Sequence, residues 1–449
     1  MSFLRAIVGV AFFIGVAYLL SANRKKIDWK LVRAGLILQI ALGFILIGGR
    51  QLELPPGRIK RIITFVPDLF SLVSEKFVTL LGYTEKGTSF IFGNLINSAN
   101  ENIGFIFAFK VLPTVIFFAT LTAGLYYLGI LQKLVKGIAW VMAKTMRLSG
   151  AESLSAAGNI FLGQTEAPLL VKPFVAGMTR SELLCLMTGG MATIAGGVLA
   201  GYVTMLGGDS AADQAVFASY LLSASFMNAP AAIIMSKILL PEMEKDSINT
   251  SLEVNSESLG VNLVDALANG ASDGLKLALN IGGMLLAFIA LIALLNGILG
   301  WFGDLTFFGT TAGLNDAIYK ATNGTFNALS IEYLLGQAFR LFAFFMGVEW
   351  GESSLVGSLL GQKLAANEFI AYQGLQGFMK SDLLSQKSII ISTYALCGFA
   401  NFSSIAIQIG GIGGMAPTQQ GNISKLGFKA LFAATIATML TGTIAGAFF

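Results

Sequence analysis

Apolar stretches of the length that crosses a lipid bilayer recur from one end of this 449-residue chain to the other. A membrane-spanning helix needs about 20 apolar residues. Stretches of this kind occur near residues 3–22, 30–49, 105–132, 181–206, 213–237, 277–301 and 426–449. Hydrophobic residues make up 55% of the chain and charged residues only 12%, so one soluble core could not bury the apolar surface. The pattern predicts an all-α polytopic membrane protein.

The charged and reactive residues exclude several classes of function. The formal net charge is +4 and the basic residues are scattered, which argues against a nucleic-acid partner. The chain has no histidine, the commonest general base and transition-metal ligand, and no recognisable nucleophile–base pair, so we do not expect an enzyme. Both cysteines, Cys185 and Cys397, lie inside apolar stretches and are interpreted as packing residues.

The N-terminal segment can be interpreted as a signal peptide or as a first membrane helix. Arg5 precedes an apolar run that ends in the small residues 21–23, as in a cleavable signal. The basic residues 24–26 follow at once, which is typical of a membrane helix that stays in place. We therefore predict a first helix of an integral cytoplasmic (inner) membrane protein, with this basic loop in the cytoplasm.

Two further stretches differ from the apolar ones. Residues 57–82 carry apolar side chains at helical spacing among charges, which predicts an amphipathic helix in the membrane interface. Residues 242–257 are acidic and rich in serine, and we interpret them as an exposed loop that divides the chain into two halves.

The two halves resemble one another. The first half has Glu152 in a Glu-Ser-Leu sequence and Glu166 fourteen residues further on, and the second has Glu352 in Glu-Ser-Ser-Leu and Glu368 sixteen residues further on. Each pair precedes a long apolar run that small and polar residues interrupt, and a further span follows. Two units of the same order indicate a duplicated transporter core, and an odd number of spans between them would make the repeats inverted.

The segments 151–178 and 352–379 are too polar in their middles to span as ordinary helices. A re-entrant hairpin, in which two short helices meet at a tip within the membrane, explains this composition. Glu166 and Glu368 would then lie near the midplane, where a carboxylate costs several kcal/mol unless it has a partner, a cation or a proton. The alternative is that each glutamate lies in an interfacial loop.

The interruptions at residues 193–197 and 398–404 predict two helices that unwind within the membrane. Unwinding frees backbone groups, which are tolerated at that depth only where they line a cavity or bind a ligand. Carbonyl and hydroxyl oxygens suit a hard cation such as sodium. Nearby side chains suit a polar, uncharged solute with a planar ring: Gln164, Thr165, Asn401, Ser404 and, as an aromatic face, Phe399.

At these residues the chain resembles the concentrative nucleoside transporter family over nearly its whole length. The likeness is carried by the segments 158–169, 361–369 and 397–405, whose order and spacing are specific to the family. The resemblance implies about eight transmembrane helices, two re-entrant hairpins and interfacial helices, with an inverted-repeat transport core on a homotrimeric scaffold. Bacterial members are similar to this chain in size.

The same resemblance implies a role for individual residues. Purine and pyrimidine nucleosides would be bound by Gln164, Thr165, Glu166, Val198, Glu368, Phe399, Asn401 and Ser404. A sodium ion, the coupling ion, would be bound by Asn159, Leu162, Thr193 and Ile194. Serine is usual where this chain has Thr193, so the hydroxyl is kept while the packing differs. No organic cofactor is implied.

We expect four segments along the chain. They are an N-terminal scaffold with the interfacial helix (1–136), a first transport repeat (137–240), a polar loop with a scaffold helix (241–318) and a second transport repeat (319–449).

The implied function is symport of nucleosides with sodium into the cell by alternating access. The nearest alternative is a proton-coupled nucleoside or nucleobase carrier of the same fold. The presence of all the residues implied to bind sodium favours sodium as the coupling ion. A passive channel is disfavoured because the polar residues cluster at two tips instead of lining a continuous face.

Overall fold

The computed structural model of the chain describes residues 2–48, 58–96, 106–244, 249, 251–252, 260–305, 313–322 and 324–449, and side chains are described from residue 3 and, in the second range, from residue 65. The described part folds into α-helices joined by turns and short 3-10 segments, with no β-strand among them. In chain order the helices are α1 Ser2–Leu19, α2 Trp29–Leu46, α3 Arg58–Phe92, α4 Phe107–Lys110, α5 Leu112–Tyr127, α6 Ile130–Met146, α7 Gly150–Gly158, α8 Lys172–Val175, α9 Arg180–Ala192, α10 Gly196–Gly207, α11 Ala211–Leu239, α12 Leu263–Asp304, α13 Leu314–Ala321, α14 Ile331–Phe345, α15 Ser353–Ala365, α16 Glu368–Lys380, α17 Gln386–Leu396, α18 Phe402–Met415 and α19 Gln420–Ala447.

Six helical segments within the described residues are long and apolar enough to cross a membrane. They are Trp29–Leu46, Phe107–Tyr127, Arg180–Gly207, Ala211–Leu239, Leu263–Asp304 and Pro417–Ala447. Two shorter apolar helices, Phe3–Leu19 and Phe402–Met415, complete the set expected from the sequence. The prediction of an all-α polytopic protein is confirmed.

Helix α12 is much longer than the predicted span 277–301, because it covers Leu263–Asp304, or 42 residues. At about 1.5 Å per residue it reaches about 63 Å, roughly twice the thickness of the hydrocarbon core. Its start is fixed by Asn262, whose side chain accepts a hydrogen bond from the backbone N–H of Asp265 at 2.9 Å. The hydrophobicity of the sequence predicts only the apolar part of such a helix.

The interfacial helix α3 exists, and it runs to Phe92, ten residues beyond the predicted end at 82. On one side of this helix Ser74, Leu81 and Thr84 are buried against the protein, whereas Phe65 and Leu69 on the other side are exposed. That distribution fits a helix with one face on the protein and one on lipid. The predicted acidic loop 242–257 lies largely outside the described residues.

Both expected hairpins and both helix breaks are present. In the first half, α7 and α8 are joined through a turn and a 3-10 segment, and the break between α9 and α10 falls at residues 193–195. In the second half, α15 and α16 form the hairpin, and the break between α17 and α18 falls at 397–401. Helix α14 was not predicted from the sequence. It packs so closely on α15 that a Cβ on Gly357 would lie 2.6 Å from the carbonyl oxygen of Gly336.

Helix α12 packs on α5 through a glycine that leaves no room for a side chain. A Cβ on Gly274 would lie 2.8 Å from the Cβ of Ala119 and 2.8 Å from the Cα of Ile116. We expect Gly274→Val to destabilise the protein by about 3 kcal/mol through overpacking, which would lower the melting temperature in detergent. Gly137, exposed on α6, has open space around it, so Gly137→Val is the control. Equal melting temperatures for both variants would contradict this packing.

Candidate functional site

The first hairpin is fastened at its base by buried ion pairs. Ser149 and Glu152 form a reciprocal capping box at the start of α7, with bonds of 3.1 and 3.2 Å. Lys237 on α11 lies 2.5 Å from Glu152 Oε1 and 3.6 Å from Glu242 Oε2. Its Nζ also donates to Ser181 Oγ at 2.9 Å. The Glu-Ser-Leu motif of the first repeat therefore has an anchoring role.

The tip of the first hairpin reaches the second broken helix. Gln164 is buried, and its Nε2 donates to Ser404 Oγ at 3.0 Å. Gln408, one turn further along α18, donates from Nε2 to Gln164 Oε1 at 3.4 Å and to the Met187 carbonyl at 3.0 Å. Two predicted residues, Gln164 and Ser404, are thus in direct contact. The spacing of four residues from Ser404 is the signal that could have identified Gln408.

Thr165 and Glu166, next to Gln164, are exposed. Glu166 accepts a hydrogen bond from the backbone N–H of Gly163 at 3.1 Å, so its carboxylate turns back on its own hairpin. It lines a cavity of about 160 Å³ between the hairpin and the helices α5 and α12, opposite Asp273. The predicted partnership of Glu166 with Glu368 in one pocket therefore stays a prediction.

Glu368 lies at the start of α16, with 3% of its surface exposed. Oε1 accepts from the Tyr202 hydroxyl at 2.7 Å and Oε2 accepts from Asn401 Nδ2 at 3.0 Å. A carboxylate in the first turn is also favoured by the helix dipole. Tyr202 could not be identified from the sequence, because a tyrosine in an apolar helix has no distinguishing neighbour there.

The two helix breaks meet one another. The Phe399 N–H donates to the Thr193 carbonyl at 3.3 Å, and a Cβ on Gly398 would lie only 2.6 Å from the Ala192 carbonyl oxygen. Asn401 caps α18, since its Oδ1 accepts from the Ser404 N–H at 3.0 Å. The Phe399 ring is partly exposed beside this contact. Val198 is buried in the first turn of α10.

The residues predicted to bind sodium lie where the first hairpin meets the first break. The Gly196 N–H donates to the Phe161 carbonyl at 3.0 Å, which joins the segment containing Leu162 to the one containing Thr193 and Ile194. All four predicted residues are buried: Asn159, Leu162, Thr193 and Ile194.

The donor set at this place suits a cation. Asn159 is fully buried, and within the described part of the chain its Oδ1 has no hydrogen-bond donor. The Thr193 hydroxyl donates to the Gly189 carbonyl at 2.8 Å, so its lone pairs stay available. A buried oxygen without a donor is costly unless a cation or a water satisfies it. Amide, hydroxyl and carbonyl oxygens are the ligands that a hard cation prefers.

Two hairpins with tips that face two broken helices, and a buried carboxylate among amides where they meet, define a secondary membrane transporter. Comparison with known proteins identifies which kind. Family descriptions match most of the chain: "Na+ dependent nucleoside transporter N-terminus" over residues 8–95, "Nucleoside recognition" over 108–209 and "Na+ dependent nucleoside transporter C-terminus" over 220–446.

Individual relatives match along the whole length. An uncharacterized transporter of Haemophilus influenzae is 41% identical, with 100% of this chain and 98% of that protein covered. The nucleoside permease NupC of Helicobacter pylori is 36% identical, with coverages of 100% and 98%. The solved structure of CNTnw in an inward-facing substrate-bound state matches with a TM-score of 0.84 and 37% identity, over 99% of this chain and 98% of that one.

The chain belongs to the concentrative nucleoside transporter family. This is a family of nucleoside transporters and not of enzymes, and the chain is an integral protein of the cytoplasmic membrane.

Replacing Tyr202 with phenylalanine tests the cluster around Glu368. Tyr202→Phe removes one of the two side-chain donors to this carboxylate, and a hydrogen bond to a charged group contributes about 1.5–3 kcal/mol. We expect the KM for uridine uptake to rise by roughly tenfold or more.

Tyr372→Phe is the matched control, because this buried tyrosine packs against Tyr202 and donates to the Thr393 carbonyl at 2.9 Å. An unchanged KM in the Tyr202 variant, or equal effects in both, would show that the bond to Glu368 does not matter for the substrate.

Proposed function

We propose that this protein is a secondary active symporter that moves nucleosides into the cell with sodium ions by alternating access. The observation that carries the sodium part is the buried Asn159 Oδ1, to which no group in the described part of the chain donates, at the contact between the hairpin tip and the first break. The family description, which names sodium dependence, supports the same reading.

The nucleoside would bind where the hairpin tips and breaks converge. Gln164, already bonded to Ser404, offers amide groups to the base, and Phe399 offers an aromatic face. Glu368 and Asn401 offer an acceptor and a donor to the ribose hydroxyls. Thr165 and Val198 would complete the wall of the site. Both purine and pyrimidine nucleosides fit such a set, since their shared feature is the ribose.

For Glu166 to bind the nucleoside, its side chain would have to move. Its bond to the Gly163 N–H would open, and its carboxylate would turn from the cavity beside α12 towards the ribose. A solute without ribose hydroxyls would leave these acceptors unpaired, at about 1–3 kcal/mol for each group. Deoxyribose analogues are therefore poorer substrates in this proposal.

Sodium would couple to the nucleoside through the hairpin tip. An ion between Asn159 and Thr193 would fix Leu162 and the turn that leads to Gln164. Because binding energies are linked reciprocally, an ion that orders the tip raises the affinity for nucleoside, and the nucleoside raises the affinity for the ion. The carbonyl oxygens of Leu162 and Ile194 would complete the ion's shell.

The parts that move would be the two repeats, residues 137–240 and 319–449, against a scaffold formed by residues 1–136 and 241–318. Helix α12, in the scaffold, exposes large apolar side chains such as Leu286, Leu294 and Trp301. Lipid and the neighbouring subunits of a homotrimer would cover this surface.

Glu166→Gln and Glu368→Gln should each abolish transport while leaving the protein inserted. In each variant a neutral amide replaces a charged acceptor, which in Glu368 accepts hydrogen bonds from Tyr202 and Asn401, so we expect uridine uptake to fall by roughly a hundredfold. Glu75→Gln, on the exposed face of α3, is the control and should match the wild type. Uptake at wild-type rate by either site variant, measured in proteoliposomes at equal protein content, would rule out these roles.

Coupling to sodium is tested by applying ion gradients and by replacing Asn159. Uridine uptake into proteoliposomes should follow a sodium gradient, and Asn159→Ala should raise the sodium concentration for half-maximal uptake by about tenfold or more. Asn422→Ala, which removes a hydrogen bond to Gln419 at the start of α19, is the control. Uptake driven by a pH gradient alone, or a preference for uracil over uridine, would favour the proton-coupled or nucleobase alternative.

A further inference from the structure

Lys363 is a buried cation that the proposed mechanism leaves without a role. It lies on α15 of the second hairpin, two residues before that helix ends, with 2% of its surface exposed. Its Nζ donates to the Ala395 carbonyl at 2.9 Å and to Thr438 Oγ1 at 3.0 Å. No carboxylate lies within 4.0 Å of Nζ among the described residues.

The contrast with Lys237 shows that this arrangement is not an ordinary ion pair. Lys237 is also buried, but two glutamates, Glu152 and Glu242, lie within 3.6 Å of its ammonium. Lys363 is instead held by neutral oxygens, one from a carbonyl and one from a hydroxyl. That is the ligand chemistry of a bound hard cation.

The position of Lys363 repeats the position of the proposed sodium site. In each repeat the end of the first hairpin helix lies against the last turns of the first half of a broken helix: a Cβ on Gly189 of α9 would lie 3.0 Å from Asn159 Nδ2, and Lys363 donates to the Ala395 carbonyl of α17. In the first repeat these ends carry Asn159 and Thr193, and in the second they carry Lys363 and Ala395. The helix that follows contributes in both, since Ser225 on α11 donates to the Ile160 carbonyl at 2.9 Å and Thr438 on α19 accepts from Lys363.

The hydroxyl groups at the two places are prepared in the same way. Thr193 Oγ1 donates its proton to the Gly189 carbonyl at 2.8 Å, and Thr438 Oγ1 donates to the Thr435 carbonyl at 3.0 Å. Each hydroxyl therefore offers only lone pairs to the space beside the break. In the first repeat a buried acceptor, Asn159 Oδ1, has no donor among the residues that the structure describes, whereas in the second the ammonium of Lys363 supplies the positive charge.

We propose that the ammonium of Lys363 occupies the second-repeat counterpart of the sodium site and acts there as a tethered cation, so that one sodium ion accompanies each nucleoside. This inference rests on the proposed sodium coupling. It assigns Lys363 a positioning role: the fixed charge holds the second hairpin to the end of α17 and keeps a positive charge near the Glu368 carboxylate. The first repeat obtains the same effect only when sodium binds.

The test compares two neutral variants of Lys363 in proteoliposomes, with the ratio of labelled sodium to labelled uridine taken up as the readout. Lys363→Ala opens a space beside the Ala395 carbonyl and the Thr438 hydroxyl, which a second sodium ion can enter. We expect its ratio to rise from one to about two and its Hill coefficient for sodium to approach two, the number of sites. Lys363→Met fills the space without a charge, so uptake should fall by roughly tenfold or more at every sodium concentration.

A double variant identifies the ligands of the second ion. Lys363→Ala combined with Thr438→Val removes the hydroxyl oxygen, and it should lose the second sodium and transport as poorly as Lys363→Met. Elution of each variant at the wild-type volume in size-exclusion chromatography shows that it is folded. Methionine has a volume similar to that of lysine, so Lys363→Met should fold even if Lys363→Ala does not.

The outcomes separate this inference from the function on which it rests. Sodium-independent uptake by the wild type would overturn the proposed coupling itself. If the wild type is coupled to sodium, three results would overturn the tethered-cation inference. The first is a sodium-to-uridine ratio of two in the wild type, and the second is uptake at the wild-type rate by Lys363→Met. The third is a folded Lys363→Ala variant in which the ratio and the Hill coefficient stay at one, or in which added sodium does not restore uptake.

Discussion

The architecture depends on two helices that stop being helical inside apolar, span-length segments. Backbone groups freed at such depth have no water to bind, so they must find partners within the protein. Here the two breaks provide some of these partners for each other. The Phe399 N–H donates a hydrogen bond to the Thr193 carbonyl, and Gly398 allows the backbone to approach Ala192 closely. The hairpin tips meet at the same place, and the polar residues of the site collect there as a consequence.

Buried charge is distributed unequally between the repeats. In the first repeat Glu152 and Lys237 form an ion pair at the base of the hairpin, and near the tip a neutral oxygen, Asn159 Oδ1, has no donor within the described ranges of the chain. The second repeat keeps a carboxylate and an ammonium, Glu368 and Lys363, near its tip. One duplicated unit can thus give rise to two different sites, one that needs a bound cation and one in which a lysine side chain supplies the positive charge.

Much of the fold could be predicted from the sequence, and the failures have physical causes. The spans, hairpins and breaks were predictable because each is a local change in polarity along the chain. Helix α12 was predicted too short because its first turns are polar, and α14 was missed because it lies beside the second hairpin and not in the regular order of spans. For the site, the residue types were predictable, but their partners were not. Tyr202 has ordinary neighbours in the sequence, and its role is evident only from its contact with Glu368. The spacing of Gln408 from Ser404 indicates a shared helix face, but its contact with Gln164 is evident only in the structure.

The sequence by itself determined the membrane class, the duplicated plan and the positions of the breaks, since the thickness of a bilayer and the cost of polar residues within it act along a single dimension. Tertiary structure alone decided which groups touch. Tyr202 and Glu368 are 166 residues apart, and Gln164 and Ser404 are 240 residues apart. It also directed the two repeated glutamates differently, one into a buried cluster and the other to a cavity beside α5 and α12. A repeated sequence fixes where a side chain begins, whereas the neighbours packed around it fix where the side chain points.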